Sequence, residues 1–181
     1  AGIWLIAVVP KILCAYLMNP HVFPFLKGSV SHPVFVVLGS LYVGIQSSVF
    51  EMGVTLAAVL VWRRIACDAA RGLAIGVGAG AFEALLLGLA STISASVAIA
   101  HVAGTEAVGE QVQLVAATTP LFFLVGPIER IIAILCHVST RALILLGVVK
   151  NRPLLVVYGF AIFTMLDGVA GGAHLTGAIR T

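Results

Sequence analysis

The chain has 181 residues, of which 61% are hydrophobic and 9% charged, and its formal net charge is +3. A soluble domain carries about 25% charged residues and 45–50% apolar ones, so these few charges could not keep so much apolar surface in water. The small basic excess lies mostly at the ends of apolar runs and is not a nucleic-acid patch, and three scattered cysteines (Cys14, Cys67, Cys136) give neither a disulfide framework nor metal-ligand spacing.

The first apolar run covers residues 2–18 and carries Pro10 and Lys11 in its middle. The cluster Asn19-Pro20-His21, with Pro24 after it, predicts a break, because proline inside a helix costs about 3 kcal/mol. The run does not resemble a signal-peptide core. The chain opens without Met, so residues upstream are expected. The second run, residues 33–62, is long for one crossing at 1.5 Å per residue. Gly44, Gln46, Ser47 and Ser48 leave it open to being one tilted helix or two pieces.

A third run, residues 72–101, begins with Gly76, Gly78 and Gly80, small residues that let a neighbouring helix approach closely. Its serine- and threonine-rich second half predicts a turn at the membrane surface. Residues 104–119 are the most polar stretch, with Glu106, Glu110, Gln111 and Gln113, and read as a surface loop or interfacial helix. Apolar runs 120–149 and 153–171 follow, the last carrying a second group of small residues (Gly168, Gly171, Gly172). Continuous runs without polar alternation favour helices over a barrel. The expected fold is therefore all-α, a polytopic transmembrane helical bundle of about five to six segments, with residues 1–181 as a single transmembrane domain.

Arg63, Arg64 and Arg71 flank one connection, and Lys150 and Arg152 flank another. The positive-inside rule puts loops 63–71 and 149–153 in the cytoplasm and the acidic loop 104–119 outside. A prokaryotic cytoplasmic (inner) membrane is the expected location.

Ionisable groups at bilayer depth are costly and need a reason. Counting from the cytoplasmic helix ends puts Glu51, Glu83 and His137 each ~17 Å deep and Asp167 ~21 Å deep. Glu129 and Arg130 fall nearer the outer surface, at ~27 Å. Arg130, His137 and Arg141 share one helix face, a basic stripe for which Glu83 and Asp167 are the expected acidic partners. Buried ion pairs that fix helix register account for these groups as readily as a working site does. As a working site, Glu51, Glu83 and His137 are the candidate catalytic residues, activating a water, while Glu129, Arg130, Arg141 and Asp167 are structural ion-pairing groups. His21, His32, His101 and His174 sit at segment ends and receive no role. No HExxH and no local ligand pair is present, so neither metal nor other cofactor is expected.

The segments Ser48-Val-Phe-Glu51-Met-Gly53, Gly76-Val-Gly78-Ala79-Gly80-Ala-Phe-Glu83-Ala84 and Glu129-Arg130, with His137 following, occur in a telling order. From about residue 5 to residue 170 the chain resembles the YhfC family of glutamic-type intramembrane proteases, relatives of PrsW and of the CAAX-processing proteases. The resemblance implies a site in which paired carboxylates and histidines activate water for peptide hydrolysis within the membrane. It also implies departures here. Phe50 stands in place of a first Glu and Val54 in place of an Arg. Ala79 stands in place of a His in the glycine motif, and Thr164 ahead of Asp167 in place of another. Loss of several cooperating groups removes most of a rate. The expected function is thus a catalytically degenerate member of the family, acting as an accessory or structural subunit of a membrane complex, with the lipid bilayer and partner membrane proteins as its surroundings. An active glutamic-type protease is the alternative, and a proton or solute transporter using the midplane carboxylates is a weaker one.

Overall fold

The computed structural model describes residues 2–66, 68–100, 110, 117 and 122–176. Among these, five long helices are joined by short connections or by segments outside the description. They are α1 (Gly2–Ser29), α2 (His32–Val61), α3 (Ala69–Ile99), α4 (Phe122–Val149) and α5 (Pro153–Leu175), with one 3₁₀ turn, Arg63–Ala66, after α2. All five are long and apolar enough to cross a bilayer, and the chain is an integral membrane protein. The polar stretch expected over residues 104–119, together with Cys67 and His101, lies outside the described residues except for Glu110 and Ala117.

Two boundaries differ from expectation, and one open alternative is decided. The break predicted at residues 19–24 does not occur: α1 is one helix with Pro10, Pro20 and Pro24 inside it. Each proline removes one backbone donor, but its fixed φ fits a helix, and unwinding in lipid would expose many more unpaired backbone groups. Residues 33–62 form one helix, not two. The serine- and threonine-rich end of α3 stays helical. Thr92 and Ser96 return their hydroxyls to the carbonyls of Gly88 and Thr92, one turn back (2.8 Å each), so the side chains satisfy themselves without a turn.

Helices in lipid gain little from mutual burial of apolar surface and associate through close packing. The glycines supply it here. A Cβ on Gly80 would lie 2.8 Å from the Ile134 Cα, and one on Gly76 would lie 3.0 Å from the His137 carbonyl oxygen, so α3 rides on the backbone of α4. A Cβ on Gly168 would lie 3.1 Å from the Ser40 carbonyl oxygen, and one on Gly171 3.0 Å from the Val43 side chain, which presses α5 against α2. Both glycine groups are therefore used inside the bundle. Between α2, α4 and α5 lies a core of Met52, Cys136, Ile144 and Phe163. Large apolar side chains such as Leu135, Met165 and Val169 point outward, at 63%, 72% and 73% exposure, which suits a lipid surface. The α4–α5 connection turns at Asn151, whose φ of 51° is the left-handed conformation that asparagine tolerates.

Candidate functional site

The site begins with the α3–α4 contact. Gly76 and Gly80 let α3 approach until Glu83, one turn beyond Gly80, reaches the imidazole of His137: Nε2 and Glu83 Oε2 are 2.6 Å apart. One turn further along α4, the buried Arg141 guanidinium meets His137 Nδ1 from the same face. Arginine can only donate, so Nδ1 is the acceptor, and the proton on Nε2 goes to Glu83.

Glu51 enters from α2 and is 1% exposed. Its Oε2 accepts from Arg141 Nη2 at 3.2 Å and lies 3.9 Å from His137 Nδ1. Its Oε1 accepts from Lys11 Nζ at 2.6 Å. Lys11 also lies 3.9 Å from Asp167 Oδ2 of α5. Two turns before Lys11 on the same face of α1, the Trp4 indole donates to Glu83 Oε2 at 3.2 Å, and its ring packs edge-on against Phe82. Arg130 approaches Glu83 Oε1 at 3.7 Å and pairs with the half-exposed Glu129 at 2.6 Å. Phe163 of α5 closes the network, with its ring centroid 5.4 Å from that of His137 and 5.9 Å from the Arg141 guanidinium carbon.

The residues picked out by depth thus converge. Glu51, Glu83 and His137 bring one ligand-type atom each to within 4.8 Å of one another. The basic stripe of Arg130, His137 and Arg141 does face carboxylates. Glu83 is the expected partner, meeting His137 and Arg130, but Asp167 is not: Arg141 pairs with Glu51, whereas Asp167 stands beside Lys11. Depth along a helix gives the level of a group but not its azimuth, and azimuth decides which carboxylate meets which cation.

Lys11, Trp4 and Phe163 were missed. Lys11 carried a usable signal, because a lone lysine inside an apolar run obeys the same rule as the other intramembrane charges. Trp4 and Phe163 carried none, being ordinary content of a membrane helix. Two open surface grooves lie elsewhere. One is lined by Ile12, Tyr16 and Phe23, the other by Met18, Leu41 and Phe50, and none of Glu51, Glu83, His137 and Arg141 lines either.

The chain matches the YhfC intramembrane metalloprotease family over residues 3–178 and belongs to that family. No curated protein and no solved structure matches it.

That family description raises the question of a metal, which the donor set answers. A catalytic zinc or similar ion takes lone pairs from imidazole and carboxylate ligands. Here Nδ1 of the one imidazole faces a guanidinium and its Nε2 carries a proton toward Glu83. Both oxygens of Glu51 face cations. Buried Arg141 Nε, without a hydrogen-bond partner among the described residues, needs an acceptor and not a further cation. Three carboxylates (Glu51, Glu83, Asp167) already meet three basic side chains (Lys11, Arg130, Arg141). The residues present do not fit a bound metal ion.

Proposed function

We propose that this YhfC-family protein is a non-hydrolytic member, in which the intramembrane site has become a charge-compensated clamp, and that it serves as an accessory or structural subunit of a membrane complex. The observation that carries this reading is Glu51. It is the carboxylate best placed to act as a base, yet it is buried, with Lys11 on one oxygen and Arg141 on the other. A general base must reach the proton that it abstracts, and a base with both oxygens committed to cations has no such reach. Ala79, in place of a histidine, is 2% exposed and packs with Trp4 and Val8, so apolar contact fills that position. In this reading Glu83, His137, Arg141, Arg130, Glu129 and Asp167 are structural groups that tie helices together. The chain forms a single transmembrane domain in a prokaryotic cytoplasmic membrane, with loops 63–71 and 149–153 on the cytoplasmic side and loop 104–119 outside.

Two measurements test it. The purified protein in nanodiscs, supplied with a single-span membrane substrate, should give no cleavage beyond that of a Glu51→Gln variant. Purification in mild detergent should bring down a membrane protein in fixed stoichiometry, and migration as a free monomer counts against the subunit role.

The gathering of Glu51, Glu83 and His137 within 4.8 Å favours a second reading, an active intramembrane peptidase with Glu51 as base and Glu83 and His137 assisting. Cleavage that disappears in Glu51→Gln would establish it and overturn the first.

A further inference from the structure

We infer that the end of the bundle formed by the α2–α3 and α4–α5 connections is a binding site for the headgroup of an anionic phospholipid, held by Arg63, Lys150 and Arg152 beside Trp62. The inference is independent of the proposed non-hydrolytic reading.

The two connections lie side by side. Val59 of α2, Ala66 of the 3₁₀ turn and Leu145 of α4 form one buried cluster, against which Ile65, Ile75 and Val148 pack. A tight turn at Asn151, with the Arg152 amide donating to the Gly147 carbonyl at 2.7 Å, keeps Lys150 and Arg152 at this end. Arg63, Arg64, Arg71, Lys150 and Arg152 thus gather against a single carboxylate, Asp68, which Arg71 takes at 3.1 Å. Arg63, Lys150 and Arg152 are exposed and form no ion pair with a described residue. Inside the bundle Lys11, Arg130 and Arg141 each meet a carboxylate. Like charges brought together repel, so this end calls for negative charge from outside the chain.

The surface beside these cations says which anion. Val61 and Trp62, immediately before Arg63, are 80% and 69% exposed, and the exposed Val149 and Leu154 flank Lys150 and Arg152. A free anion or an acidic protein loop meets the cations alone. A phospholipid meets both surfaces, its headgroup phosphate against the basic side chains and its acyl chains against the apolar ones. Tryptophan favours the membrane–water interface, and basic residues next to a membrane helix attract anionic lipid.

The test is fluorescence quenching in lipid vesicles by acyl-brominated phospholipids. Trp4→Phe leaves Trp62 as the single tryptophan of the chain. Brominated phosphatidylglycerol should act on Trp62 as a ligand preferred about fivefold over brominated phosphatidylcholine. The preference should vanish in Arg63→Gln/Lys150→Gln/Arg152→Gln, and also in about 1 M salt, which screens exposed charges. Equal quenching by the two lipids overturns the inference, and so does a preference that survives the triple substitution or high salt. Inorganic phosphate added at constant ionic strength should leave the preference unchanged, and its loss would mean that these cations hold a free anion and overturn the lipid assignment. If Trp4→Phe does not fold, the difference between wild type and Trp62→Phe isolates the same signal.

Discussion

Arg141 and Glu51 meet at 3.2 Å in the middle of the bundle, one from α4 and one from α2, with side chains 1% and 2% exposed. Neither charge has access to water. Glu51 keeps Lys11 on its other oxygen, whereas Glu51 is the carboxylate that Arg141 meets. Removing one partner of such a pair costs about 3–5 kcal/mol because the remaining charge stays buried. Glu51→Gln, which strands the buried Arg141, should therefore lower stability by about 3–5 kcal/mol, read as a fall in thermal unfolding temperature in detergent. Arg141→Met/Glu51→Gln should recover most of the loss. A double variant no more stable than the single one would mean that Arg141 acts through packing on Phe163 and not through charge.

The α3–α4 seam makes a steric prediction. Gly76→Ala puts a Cβ 2.5 Å from the Val138 Cα, and the obstacle is backbone that cannot swing away. The expected cost is about 1–3 kcal/mol. Gly53→Ala on α2 meets nothing within 4 Å and should stabilise by about 0.5–1 kcal/mol through helix propensity alone. Chemical denaturation of the two variants side by side measures both signs, and equal effects would remove the argument that Gly76 sets the approach of α3 to α4.

Trp4 combines packing on Phe82 with a hydrogen bond to Glu83, and two substitutions separate them. Trp4→Phe keeps an aromatic ring and loses the donor, for a cost of about 1.5–3 kcal/mol, as expected of a bond to a charged acceptor. Trp4→Ala loses both, at about 3–5 kcal/mol. If Trp4→Phe unfolds at the wild-type temperature, the indole N–H contributes nothing to Glu83.

Much of this arrangement could be read before the fold was known. Long apolar runs with basic residues at their ends marked about five to six segments, and common depth picked out Glu51, Glu83, His137 and Asp167. The glycine triplet before Glu83 marked a helix that comes close to its neighbour. What could not be read depends on rotation about helix axes. Glu51 and Asp167 sit at similar depths, yet only Glu51 faces Arg141. The three prolines of α1 misled in the other direction. The rule that proline breaks helices is calibrated in water, where freed carbonyls find a solvent donor, whereas lipid offers none. With α1 taken as broken, Lys11 looked like an interruption and not like a side chain delivered to the centre of the site.

The polar clamp also bears on how the chain is joined. Glu51–Arg141, Glu83–His137 and the glycine seams all link the first three helices to the last two. Each of those two parts exposes donors or acceptors that the other satisfies, and helices already inserted in a bilayer can find one another without a covalent tether. Residues 1–110 and 111–181, produced as separate polypeptides in one cell, are therefore expected to reassemble. The join between them would then be dispensable, with specificity of assembly residing in the buried charges.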